Sequence, residues 1–314
     1  MTRKNLLTVS FLAGILKDKS AFLLRYQECK YSDILYNDIL AVIEDVIIGR
    51  MRLECAIPVL NVYYVILCEC KEITIREIFY RCKRVFKNQN HTVRVIDYIK
   101  IRLKIEISLI VPSYKGLVHG IFSLKFQEKV VQMENTSIIP RIQKETKIFT
   151  KASAIIVVEK EAVFNDIIQD TAYKNRMEEI IIVTGKGYPC TNTLKFLSIA
   201  RSIRIFGLFD CDPHGLSIYA VYKYGSKRNP HLKVPSMERI GIHLYEIPVT
   251  PETMYITDKK QISLIRNLRN LEELQNDINI MEETRRKASI EDILNISTIA
   301  KYSIDKVDRL LKRE

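Results

Sequence analysis

Three acidic residues make the first chemical suggestion in this sequence. Asp210 and Asp212 lie two apart just after a short apolar run, so in extended backbone their side chains point the same way. Glu159 follows another such run. Three carboxylates gathered in a basic protein repel one another unless a cation sits between them. Oxygen donors without Cys or His suit Mg2+, with Mn2+ as a substitute. A metal held there polarises a phosphate and stabilises a leaving oxygen. An isolated Asp-x-Asp also fits a helix N-cap. Glu159 and a Gly-rich loop at matching strand ends shift the reading toward a site.

The second candidate is a phenol. Arg76 and Tyr80 are four residues apart and share one helix face. A phenol is a poor nucleophile near neutral pH, with a reference pKa of ~10. A nearby cation favours the phenolate, and a guanidinium also grips a phosphate. Tyr80 is one of 16 tyrosines, and a Phe-Tyr pair on a helix equally fits core packing, so its weight comes from context. The loop Thr184-Gly185-Lys186-Gly187-Tyr188-Pro189 brings Lys186 and backbone N–H groups within reach of a phosphate. It is not a P-loop, and no ATP-hydrolysing module is expected.

These residues need elements to hold them. Ala154-Ile155-Ile156-Val157-Val158, residues 180–183 and residues 203–209 are short apolar runs with helical segments between them. Such runs read as strands buried on both faces, and the alternation implies an α/β fold with a largely parallel sheet. Ligands of open α/β sheets sit at the carboxyl ends of the strands, where Glu159, the 184–189 loop and Asp210 all fall. Upstream, Thr74-Ile75-Arg76-Glu77 is a capping box that starts the helix bearing Tyr80. Pro58 opens an earlier apolar helix, and a third runs from about 91 to 104. Residues 107–111 and 121–126 read as strands joined through 115–120. Three helices and a hairpin suggest a winged helix-turn-helix. Residues 1–50 read as helices. The charged Lys17-Asp18-Lys19 directly after the first apolar stretch favours an amphipathic helix over a signal peptide, and this face is a candidate for partner docking. The division is a helical extension over 1–54, a winged-helix domain over 55–134, a polar linker over 135–152, and an α/β domain with C-terminal helices over 153–314.

Composition narrows the class. With 47% hydrophobic and 27% charged residues, a chain of 314 residues supports two cores and is not mainly disordered. No apolar run approaches the ~18 residues of a membrane span. Lys and Arg number 49 against 37 Asp and Glu, a net charge of +12, which favours a polyanionic partner. Nucleic acid comes first and an anionic membrane surface second. Seven cysteines, an odd number, fit free thiols in a reducing compartment, and Cys68 and Cys70 have no second pair at zinc-site spacing.

The ordered set of motifs resembles the family that unites the meiotic double-strand-break catalytic proteins with the topoisomerase VI A-subunit. Thr74-Ile75-Arg76-Glu77-Ile78-Phe79-Tyr80 is similar to that family's catalytic-tyrosine helix. Lys115-Gly116-Leu117-Val118-His119-Gly120 resembles the end of its winged-helix segment. Val158-Glu159-Lys160-Glu161-Ala162, the 184–189 loop and Asp210-Cys211-Asp212-Pro213-His214-Gly215 resemble its Toprim motifs in order, and Lys287-Ala288-Ser289-Ile290-Glu291 a late helix. Phe79 stands where a second Tyr is common, Cys211 for a usual Ala, Glu161 for an Asp, Cys190 for an acid and Leu194 for an Arg.

The resemblance implies transesterification of DNA. Tyr80 is the nucleophile and Arg76 orients the phosphate. Glu159, Asp210 and Asp212 hold Mg2+, while Lys115 and Lys186 contact the backbone of double-stranded DNA. It also implies a homodimer with shared active sites, a separate ATPase-like B-type subunit, accessory proteins and a nuclear location. Two other activities fit the same residues: a topoisomerase that reseals DNA with an ATPase partner, and a non-catalytic DNA-binding scaffold.

Overall fold

The computed structural model describes residues 73–103, 110–111, 114–143, 145–226 and 230–312, with positions 41, 44, 45 and 48. Apart from those four positions, the helices expected over 1–50 lie outside the described residues, as does the helix opened by Pro58. The chain divides into two units between Ser113 and Tyr114.

In the first unit, strand β1 (Ile73–Thr74) runs directly into helix α1 (Ile75–Arg81); helix α2 (Gln89–Leu103) and strand β2 (Ile110–Val111) follow. The expected capping box forms. The Thr74 hydroxyl accepts from the Glu77 N–H at 3.1 Å, and the Glu77 carboxylate accepts from the Thr74 N–H at 3.4 Å. Ile78 lies in a small core with Ile73, Cys82, Phe86, Val95 and Ile96. A helix turns about 100° per residue, so with Ile78 inward, positions two to either side face away from it. Those positions are Arg76 and Tyr80, and both are exposed.

The second unit is built on a six-stranded sheet. Strands β8 (Ala154–Val158), β9 (Ile180–Thr184), β10 (Arg204–Leu208) and β11 (Glu238–Gly241) are parallel, in the order β11-β10-β8-β9. Every residue of β8 and β9 is buried, which explains their Ile/Val/Ala content, with Thr184 alone polar at the end of β9. Helices α3 (Glu161–Gln169), α4 (Thr171–Lys174), α5 (Thr191–Ile199) and α6 (Pro213–Tyr224) follow the strands. After β11 come β12 (Met254–Tyr255), α7 (Lys259–Leu268), α8 (Gln275–Thr284), β13 (Arg286–Lys287), a 3₁₀ turn (Ile290–Asn295) and α9 (Ile299–Leu311). The α/β class and the largely parallel sheet are as the sequence implied.

The region before β8 departs from expectation. Strand β3 (Leu117–His119), read as a connection, pairs antiparallel with β9 and extends the main sheet. β6 (Ser137–Ile138), inside the expected linker, pairs antiparallel with β3 at the sheet's far edge. Of the expected hairpin, the described residues 110–111 and 121–126 do not pair with each other. β2 pairs parallel with β1, whereas β4 (Phe122–Phe126) sits between β5 (Lys129–Met133) and β7 (Lys147–Phe149) in a separate antiparallel sheet. Residues 135–152 group with the second unit, and within them Ile139, Ile142 and Ala152 are buried while Ile138 and Phe149 stay exposed. Strands of two or three residues are too short to show periodicity in sequence.

Buried Asn192 on α5 ties this stretch down. Its amide donates to the carbonyls of Ile139 at 3.0 Å and Pro140 at 2.8 Å, and its carbonyl oxygen accepts from the Ile142 N–H at 2.9 Å. Asn192→Ala leaves three backbone groups without this partner and is expected to destabilise the unit by about 2–3 kcal/mol, read as a lower urea midpoint. An unchanged midpoint would mean that residues 139–142 are held by other contacts. Thr74→Ala, which removes the cap of α1, is expected to cost the first unit about 1 kcal/mol in the same experiment.

Candidate active site

The second unit brings the three predicted carboxylates to one edge of its sheet. Glu159 is the residue after β8, and Asp210 lies two residues beyond β10, its parallel neighbour. A carboxylate oxygen of Glu159 accepts from the Asp210 backbone N–H at 3.0 Å, so the two strand ends are tied through the acid itself. Both side chains are buried. Asp212 is the N-cap of α6; its carboxylate accepts from the Gly215 N–H at 2.7 Å, and Pro213 occupies the first turn. Asp212 is thus a helix cap, and its charge is also felt at Glu159 and Asp210. Cys211, between the two acids, points the other way into the core, as alternation requires.

Burial sets the electrostatics. The Glu159 carboxyl is pushed up to about 7, first by burial and then by the neighbouring Asp210 charge. Asp210 is also raised, again mainly by burial. Two things oppose this: the Ile290 N–H donates to one Asp210 oxygen at 2.9 Å, and the Lys160 ammonium lies 3.0 Å from the other. Lys160 also pairs with Glu291 at 2.8 Å. Among the described residues no three His, Cys, Asp or Glu side chains stand as a ready metal cage. Both Asp210 oxygens have partners, as does one oxygen each of Glu159 and Asp212. The donor set, carboxylates without Cys or His, still fits a hard divalent cation. Its mutual repulsion, seen in the raised Glu159, is what such a cation relieves.

The Gly-rich loop closes over Glu159. The Glu159 carbonyl accepts from the Gly187 N–H at 2.8 Å and from the Thr184 hydroxyl at 3.3 Å. Lys186 adopts a left-handed backbone with φ 53°, followed by Gly187 at φ 85°. The structure brings Lys115 and Lys186 together, but each is engaged. The Lys115 ammonium donates to the Lys186 carbonyl at 3.0 Å, and the Lys186 ammonium pairs with Glu161 at 2.8 Å. Burial lowers the Lys115 pKa.

Several contributors stand in the quoted motifs without an assigned role. Lys160, Ile290 and Glu291 come together around Asp210 from positions far apart in the chain, and no local pattern announces that. Residues 287–291, expected on a helix, instead pass from β13 into the 3₁₀ turn. On the way Ala288 pairs with Cys211 through two backbone hydrogen bonds, of 2.9 and 3.0 Å. Gly215 had a legible signal, a glycine in a helix's first turn. A Cβ there would lie 2.3 Å from the Asp210 carbonyl oxygen, so only glycine lets α6 start this close. Beyond these, Arg239 and Asp277 form a fully buried ion pair at 2.6 Å, and Arg239 also donates to the Cys211 sulfur at 3.3 Å. Asp277 is held well below the usual carboxylate range despite its burial, by His243 and Arg239.

The first unit presents the phenol. Tyr80 is 55% exposed, which is unusual for an aromatic on a helix that packs a core. The Arg76 guanidinium lies 3.5 Å from its hydroxyl and 5.8 Å from its ring centroid. Arg81, Lys83, Arg84 and Lys87 are exposed just after it. An exposed hydroxyl beside cations can meet a phosphodiester directly.

Comparison with known proteins agrees with both halves. A family model described as the Toprim domain of Spo11 and the topoisomerase 6 A-subunit matches residues 154–306, from β8 into α9. One described as type IIB DNA topoisomerase matches residues 51–108, which include Tyr80. The probable meiosis-specific protein SPO11 homolog of Encephalitozoon cuniculi is 32% identical over 197 residues, 59% of this chain and 65% of that protein. The meiotic recombination protein rec12 of Schizosaccharomyces pombe is 30% identical over 241 residues, 73% of this chain and 68% of that protein. The human meiotic recombination protein SPO11 is 28% identical over 275 residues, 80% of this chain and 69% of that protein. The matched regions thus span about two thirds of each of these relatives. A chain matched by both family models in order, with the carboxylate edge in one and the exposed phenol in the other, belongs to the Spo11/topoisomerase 6 A-subunit family.

Proposed function

We propose that this protein starts meiotic recombination by breaking both strands of DNA through tyrosine transesterification. The observation that carries the reading is Tyr80, an exposed phenol with a guanidinium at its hydroxyl. In the reaction the Tyr80 oxygen attacks a backbone phosphorus and the bond from phosphorus to the 3′ oxygen breaks. The protein is left joined to the 5′ phosphate, the phenolic proton is given up, and the departing 3′ oxygen takes up a proton. Arg76 orients the phosphate and offsets its charge. Glu159, Asp210 and Asp212 would hold Mg2+. When bound, that ion supplies charge neutralisation for the phosphate in transfer. The Lys115–Lys186 pair and the exposed cations after Tyr80 would add backbone contacts, making binding strongly salt-dependent. The family relationship supports a dimer on DNA whose active sites are shared between protomers, and a nuclear location. A separate ATPase-like subunit would complete the assembly.

The deciding experiment purifies the chain under denaturing conditions from meiotic and from vegetative cells and asks whether DNA stays attached. Attachment in meiosis alone is the expected outcome. Attachment in vegetative cells as well would make the protein a general topoisomerase. Tyr80→Phe is expected to abolish attachment, retain DNA binding and change stability by less than about 0.5 kcal/mol, since the hydroxyl is exposed. Attachment that persists in this variant would rule out Tyr80. Asp210→Asn is also expected to stop cleavage.

Glu159 gives a test that does not depend on activity. Its native pKa of about 7 stands above its unfolded value. Its contribution to stability is therefore complete below about pH 4.5 and lost as pH rises through 7. In metal-free buffer Glu159→Gln should raise stability by about 1–3 kcal/mol above pH 7, a gain that fades toward pH 4.5. Added Mg2+ should raise the melting temperature of the wild type and leave the Gln variant unmoved. Equal responses to Mg2+ would separate Glu159 from metal binding.

A further inference from the structure

The contacts of Asp210 are ordered in a way that bears on how a cation would enter. One of its oxygens accepts from the Ile290 N–H at 2.9 Å, so the other is the one left for an ion. That oxygen is already 3.0 Å from the Lys160 ammonium. A divalent cation and an ammonium cannot share it without like-charge repulsion. Lys160 is the N-cap residue of α3 and directly follows Glu159, so its backbone is anchored at the site and only its side chain can move. It has somewhere to go: its ammonium lies 2.8 Å from Glu291, whose side chain is 44% exposed against 11% for Asp210. The 3₁₀ turn that supplies the Ile290 N–H to Asp210 also supplies Glu291, so one short segment delivers both the fixed donor and the alternative acceptor.

We propose that Lys160 is a built-in counter-ion that competes with the divalent cation for Asp210, and that Glu291 is the carboxylate that retains Lys160 once it is displaced. The proposal rests on the metal reading given above. Before a cation arrives, Lys160 compensates the buried acids and keeps the strand ends together. When one arrives, the ammonium rotates toward Glu291 and frees the Asp210 oxygen. Cation occupancy is thereby set below what three carboxylates alone would give.

The test is Mn2+ binding to the full chain without DNA, followed by the electron paramagnetic resonance signal of free Mn2+. Lys160→Met should bind Mn2+ about three- to tenfold more tightly than the wild type, a range suited to removing a partly exposed competing charge. Glu291→Gln should bind more weakly, because Lys160 then has only Asp210. The double variant should resemble Lys160→Met. Unchanged or weaker binding by Lys160→Met would overturn the proposal, as would unchanged binding by Glu291→Gln. A double variant as weak as Glu291→Gln would make Glu291 a ligand of the ion and overturn it too. If Lys160→Met does not fold, Lys160→Gln replaces it with the same expectation. No Mn2+ binding by any form would instead bring down the metal reading itself.

Discussion

The second unit depends on one contact between two acids. Glu159 accepts the backbone N–H of Asp210, joining the ends of two parallel strands through a buried carboxylate. Burying one carboxylate is costly, and burying two beside each other more so. The surroundings are arranged against that cost. Lys160 follows Glu159 at once, the Ile290 N–H reaches Asp210 from late in the chain, and the start of α6 is capped by Asp212. The cap is an ordinary fold feature, but an apolar residue at either strand end would be cheaper to bury than Glu159 or Asp210.

The close approach also explains the spacing of the motif. Asp210 and Asp212 face the edge because Cys211 faces the core, where Ala288 and Arg239 hold it. Gly215 is required because α6 begins almost on the Asp210 carbonyl. Gly185 has a comparable reason: a Cβ there would meet the hydroxyl of buried Tyr222 at 2.2 Å. Asp-x-Asp-Pro-x-Gly is therefore one steric object, in which acids, helix start and glycine constrain one another.

How much of this was legible follows from the range of each signal. The three apolar runs became β8, β9 and β10 because a strand buried on both faces is written in consecutive residues. The capping box around Thr74 is local and can be read directly. β3 and β6 escape a sequence reading because antiparallel additions of two or three residues to a sheet edge carry no period. The expected linker is packed, held by two short strand pairings and by an asparagine fifty residues further on. The carboxylates could be named from strand ends, but Lys160 and Glu291 could not be matched to Asp210, since their meeting depends on a crossing that only the tertiary fold shows.

Charge is divided in a way the net value of +12 conceals. At the carboxylate edge the lysines are engaged: Lys160 with Asp210 and Glu291, Lys186 with Glu161, Lys115 with a carbonyl. Around Tyr80 the balance is different. Arg76, Lys83, Arg84 and Lys87 are exposed there, and Glu77, the acid of that helix, is already shared between the Thr74 cap and Arg81. A polyanion is attracted to exposed cations that are not paired with acids, and among the described residues Arg76, Lys83, Arg84 and Lys87 are such cations on and just after the helix that carries the phenol. The acids, in contrast, are buried where a strand of negative charge would be repelled unless a cation came first. On the proposed reading, the exposed phenol would meet the phosphate and the carboxylates would take the cation, two requirements of opposite charge that each unit answers by itself.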